Sequence, residues 1–141
     1  MPNEWQISTD PDLVLMGLDG RVETPVLRAF AIACCRRILP QLEGEARAAI
    51  EVAARFADGR ATTEELDAAR RAFGSLTANE AAQAAWYCVW RDALIAARNA
   101  AWYAAAAAVG RHAPRSRWEA ERAAQAALLR EMAGDRFATA G

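Results

Sequence analysis

The side chains with most chemical reach in this chain are three cysteines, Cys34, Cys35 and Cys88, and a single histidine, His112. Cys34 and Cys35 open the run Cys34, Cys35, Arg36, Arg37. Adjacent residues on a helix diverge by about 100°, so two neighbouring thiols cannot easily grip one metal, and zinc ligands come as spaced pairs. Cys88 and His112 would complete a set of four, but nothing in the spacing brings them together. The thiols therefore read as buried structural side chains, since free cysteine behaves as a small hydrophobe. No structural disulfide, no metal site and no cofactor are expected, and Arg36 and Arg37 are expected on a solvated, salt-bridged surface.

His112 stands among Arg111, Arg115 and Arg117 in a basic loop that leads into a helix. Outward amides at a helix start make such a loop a candidate anion or phosphate seat. No glycine-rich phosphate loop accompanies it, and plain solvation is the simpler expectation. A lone histidine with no Ser or Cys set beside it by a local motif supports no nucleophilic triad. The carboxylates are spread over helix starts and i to i+4 pairs, so no catalytic residue is expected. Trp86, Tyr87, Trp90, Trp102 and Tyr103 form an aromatic face at helical spacing. Such stripes usually pack inward, yet Trp and Tyr are favoured anchors between proteins, which makes these five the candidate partner-binding residues.

The elements that position these groups follow from composition. The chain has 141 residues, the size of one domain able to bury a core without staples. Alanine contributes 37 of them, concentrated after Ala46, and alanine favours helix over strand. An all-α fold is predicted: a single-domain (1–141) antiparallel bundle of about five to seven helices, one of them long. All 17 basic residues are arginine and 18 are acidic, for a net charge of -1. That balance offers no field for nucleic acid or anionic lipid. The start of the chain, 1–20, lacks a signal-peptide pattern and reads as short helical turns packed on the bundle. The uncharged stretch 99–110 is too short to span a bilayer, and a cytoplasmic location is expected.

Start and stop signals divide the chain. Asn3 caps a turn carrying Trp5, and Asp10 with Pro11 opens a helix to Leu18, with Gly20 beyond its end. Thr24 and Pro25 open another, predicted to run to Leu39, where Pro40 prevents continuation; its apolar arc holds Leu27, Phe30, Ala31, Cys34, Cys35 and Ile38, with Arg28 outside it. Gly44 and Glu45 begin the next, which ends at Asp58 and Gly59. Thr62 with Glu65, Thr77 with Glu80 and Ser116 with Glu119 have capping-box spacing. Gly74 closes the helix headed by Thr62. No Gly or Pro interrupts 78–109, so one helix is predicted through Val109, with Arg91 and Asp92 the place for any bend. Gly110 to Arg115 links it to a last helix ending near Met132 and Gly134, with Phe137 docking the tail.

Segments 27–42 (LRAFAIACCRRILPQL), 46–70 (ARAAIEVAARFADGRATTEELDAAR) and 121–137 (ERAAQAALLREMAGDRF), with the Trp5 turn and the Ala- and Trp-rich middle, resemble a group of uncharacterised Ala-rich bacterial helical proteins. That group leads one to expect Gly-Asn-Pro-Phe at the tail, where this chain has Gly134, Asp135, Arg136 and Phe137. In size and helical build it is more loosely similar to immunity-protein domains of polymorphic toxin systems. The missing catalytic constellation, the Trp- and Tyr-rich helix face and this resemblance together lead to the expectation of a non-enzymatic module that binds another protein, immunity-like or an adaptor. Two alternatives stand beside it. One is a small-ligand sensor or enzyme using Cys34, Cys35, Arg36, Arg37 or His112 at an interhelical pocket; the other is a self-associating structural protein, a homo-oligomer.

Overall fold

The computed structural model describes residues 4–73 and 79–134, and every regular element among them is helical. Eight α-helices follow in order: α1 (Glu4–Ile7), α2 (Pro11–Leu18), α3 (Thr24–Arg36), α4 (Glu45–Ala57), α5 (Thr63–Ala72), α6 (Glu80–Cys88), α7 (Ala93–Val109) and α8 (Arg115–Ala133), with a 3-10 turn at Leu39–Gln41. The number exceeds the five to seven expected because α1 is a single turn and the predicted helix through Val109 is broken in two. Asn3, Gly74, Thr77 and Phe137 lie outside the described residues, so their expected roles as cap, stop, cap and tail anchor do too.

Local chemistry fixes the ends. The Asp10 carboxylate accepts from the Asp12 amide at 2.9 Å, with Pro11 in the first turn of α2. Within α2, a Cβ on Gly17 would lie 2.1 Å from Cγ of Trp5, so α1 closes on α2 over a residue that has no side chain. Helix α3 stops at Arg36, three residues short of the expected Leu39. A proline ring collides with the carbonyl four residues back, which for Pro40 is that of Arg36. Thr62 and Glu65 form the predicted capping box: Glu65 donates its amide to Thr62 Oγ1 at 3.1 Å, and Thr62 donates its own to Glu65 Oε1 at 3.2 Å. Helix α6 is capped by Asn79, whose Oδ1 accepts from the Ala81 amide at 2.8 Å. The box expected from Ser116 is absent. Pro114 precedes α8 and has no capping side chain, and Glu119 instead accepts from Arg115 Nε at 2.9 Å.

Helix α7 packs against α2, α3, α6 and α8. Its inner face is entirely alanine: Ala93, Ala96, Ala97, Ala100, Ala101, Ala104 and Ala105 are buried. A face of methyl groups lets neighbouring backbones come close, and the bulk comes from the neighbours. Phe30, Leu15, Leu18, Leu42, Ile50, Leu66 and Leu129 are all fully buried, each contributing about 1.5–3 kcal/mol relative to exposure. No described helix is long and apolar enough to cross a membrane, and no group of three or more His, Cys, Asp or Glu among the described residues could hold a metal ion.

Candidate functional site

The break between α6 and α7 organises the surface around it. On its far side the Asp92 carboxylate accepts from the Ile95 amide at 3.0 Å, which starts a new helix. On its near side the guanidinium of Arg28, only 2% exposed, reaches over from α3. It donates through Nη1 to the carbonyls of Cys88 and Trp90, both at 2.7 Å, and through Nη2 to that of Arg91 at 2.9 Å. Arg70 donates to the remaining carbonyl, that of Val89, at 3.2 Å. Every carbonyl from Cys88 to Arg91 is thus taken by an arginine from another helix. Arg28 also lies 5.0 Å from the centre of the Phe56 ring, and burial draws its pKa down. Asp67, 7% exposed, joins the clamp by binding both Arg91 and Arg70. Its hydrogen bonds to Arg91, reinforced by that to Arg70, hold its carboxyl down at about 2.

Around this break the five aromatic candidates form a continuous ladder on the outside of the molecule. Trp86 meets Tyr87 edge-on at 5.0 Å and Trp90 at 5.2 Å. Tyr87 stacks on Tyr103 of α7 at 5.6 Å and 10°. Tyr103 meets Trp102 at 5.1 Å, and Trp102 meets Trp118 of α8 at 5.5 Å. None of these rings is fully buried, and Trp102 is 44% exposed. The inner positions of α6 and α7 are filled by alanine and Cys88, so Tyr87 and Tyr103 pack against the rim of the core and Trp86 and Trp102 stand further out.

Three linked depressions run along the ladder. One of about 400 Å³ lies between Trp86, Trp90 and Ile95; the next, about 510 Å³, shares Ile95 and extends to Tyr103 and Trp102. The third, about 340 Å³, shares Trp102 and Asp12 with the second and ends on Trp118. Ile95, 40% exposed, stands two helical turns from Trp102 on the same stripe of α7. At the Trp118 end, Arg122 lies 5.6 Å from the Trp118 ring and pairs with Asp12 of α2 at 3.1 Å. It also donates to Gln125 at 3.1 Å, and Gln125, itself buried, donates to the Ala101 carbonyl at 2.8 Å. A polar chain thus ties α2, α8 and α7 beneath the rings.

The other candidates are dispersed. Cys34, Cys35 and Cys88 are free and fully buried. Contrary to what their spacing indicated, Cys35 and Cys88 come together, their sulfurs 3.4 Å apart. His112 and Arg117 are exposed, while Arg111 pairs with Glu80 at 3.4 Å and Arg115 with Glu119. Two of the four candidate anion ligands thus already face carboxylates. Arg36 is exposed, and Arg37 binds Glu121 bidentately at 2.8 and 2.9 Å, which raises its pKa. The interhelical pocket of about 490 Å³ beside Arg28 is lined by Thr24, Phe56, Asp92 and Leu94 among others, and by none of the cysteines, Arg36, Arg37 or His112.

Sequence reasoning missed the buried polar residues Arg28, Asp67, Arg122 and Gln125. A positional signal existed for three of them. Arg28 shares a stripe with Ala31 and Cys35, and Arg122 and Gln125 share one with Ala126 and Leu129; residue type concealed what periodicity held. No protein-family model, curated protein or solved structure matches the chain.

Proposed function

We propose that this protein is a non-enzymatic binding module, immunity-like or adaptor in kind, that recognises another protein through the aromatic ladder of α6, α7 and α8. The observation that carries this reading is the inversion on α7: alanine fills the inner face, while Trp102 and Ile95 stand 44% and 40% exposed beside linked depressions. Half-buried Trp and Tyr, prepaid in conformational entropy by their ring contacts, are the side chains that dominate binding energy at protein interfaces. Short connections between successive helices support a single antiparallel bundle as the scaffold.

The test is comparative affinity capture. Tagged wild type and the double variant Ile95→Ser, Trp102→Ala are exposed to lysate of the source cell, the captured protein is identified, and binding is repeated with purified components. A partner bound by wild type and held at least tenfold more weakly by the variant, with unchanged helical circular dichroism, is the expected result. No captured partner, together with a monomer by light scattering, overturns the proposal. Concentration-dependent association of the chain with itself, lost in the same variant, would replace the partner with a second copy.

A further inference from the structure

The sulfurs of Cys35, the next-to-last residue of α3 and on its inner face, and Cys88, the last residue of α6, lie 3.4 Å apart with both side chains fully buried. A disulfide bond is about 2.05 Å long, so the two sulfurs, already in contact, need to approach by only about 1.4 Å to reach bonding distance. Cys34 is adjacent in the chain but points about 100° away around the helix. We propose that Cys35 and Cys88 are an oxidative modification site, converted by a peroxide to a reversible disulfide that bolts α3 to α6 and leaves Cys34 a thiol.

The chemistry balances with hydrogen peroxide as the two-electron oxidant. One sulfur, as thiolate, attacks a peroxide oxygen; the O–O bond breaks, hydroxide leaves and takes up the released proton as water, and a sulfenic acid remains. The second sulfur attacks the first, the S–O bond breaks, and the oxygen departs as a second water with the second thiol's proton. Two thiols and one peroxide thus give one disulfide and two waters. The hydrogen bond with Cys88, with burial behind it, pushes the Cys35 thiol up, and burial does the same to Cys34, so the closed protein resists the first step. Oxidation proceeds through local opening at the end of α6, where the backbone is held by side chains rather than by a continuing helix. The proposal stands whether or not the aromatic ladder binds a protein.

The test treats the full-length native protein with hydrogen peroxide, then unfolds and alkylates it before mass analysis without reductant. Expected are a mass lower by ~2 Da before alkylation, for the two hydrogens lost, and reversal by dithiothreitol. Alkylatable thiols fall from three to one. Cys34 and Cys35 lie between the same two tryptic sites, so fragmentation of the linked peptide between them locates the bond at Cys35. Cys34→Ser is expected to oxidise like wild type, and Cys35→Ser or Cys88→Ser to give no internal bond. The oxidised protein should melt at higher temperature, because the new link closes the chain between residues 53 apart. Three surviving thiols, oxygen adducts without a link, a bond to Cys34, or disulfide-joined dimers would each overturn the proposal. The wild-type peptide map decides even where a serine variant fails to fold.

Discussion

Most helix ends hand their last carbonyls to water or to a glycine turn, whereas the carbonyl of Cys88, the last residue of α6, and those of the three residues that follow it go to two arginines from other helices. Arg28 is the larger contributor, because one planar guanidinium serves three carbonyls in fixed directions. Arg28→Met keeps an apolar stem against Phe56 but strips those acceptors of their donor. It is expected to cost about 3 kcal/mol in urea unfolding, and Arg28→Lys less, since an ammonium cannot span all three. A loss no larger than that of a surface substitution would show that the clamp is dispensable. Asp67 sets a pH dependence of definite sign. Its carboxyl sits at about 2 in the fold, below the ~3.9 of an unfolded aspartate. Its stabilisation is therefore complete above about pH 4 and is lost as pH falls through about 2. Thermal melting of wild type and Asp67→Asn across that window should converge at the acid end and diverge above it.

At the scale of the element, α7 is a helix whose core face tolerates no growth. Ala100 is fully buried, so Ala100→Leu forces the three further carbons of a leucine into a closed contact with α7's neighbours, costing about 1–3 kcal/mol or more. Ala127→Leu, on the exposed side of α8, should change stability by less than about 0.5 kcal/mol in the same urea experiment. Equal effects would mean that the α7 face is not closely packed. The capping box invites a parallel measurement: Thr62→Ala should cost about 1 kcal/mol. These elements were legible in the residues to different depths. Helical content, the Asp10 and Pro11 start, and the Thr62 with Glu65 box follow from local chemistry, and local chemistry is what a sequence displays. The division of 78–109 is not local. Asp92 is a cap only if the chain stops before it, and what stops the chain is Arg28, some sixty residues upstream. The ladder was half legible: its members were recognised by spacing, but an aromatic stripe and an alanine stripe compete for the inner face, and only the packing of α3 against α7 shows that alanine takes it. The meeting of Cys35 with Cys88 was hidden for the same reason.

The whole molecule leaves its tryptophans and tyrosines, unlike the buried Phe30, partly open to solvent. Of the five tryptophans Trp102 is exposed and the other four are half-buried, so native emission should be intermediate in wavelength, be partly quenched by acrylamide before unfolding, and move further to the red when urea unfolds the chain. Strongly blue native emission would contradict the outward placement of the rings. A further consequence follows from Tyr87 and Tyr103, the chain's only tyrosines, each of which touches an indole. Light absorbed by either phenol passes to a neighbouring indole before it can be emitted. Because Trp86 and Trp102 are the chain neighbours of these phenols, that transfer persists when the chain unfolds, so tyrosine emission stays weak in both states and the indoles alone carry the optical signal of the surface of α6, α7 and α8.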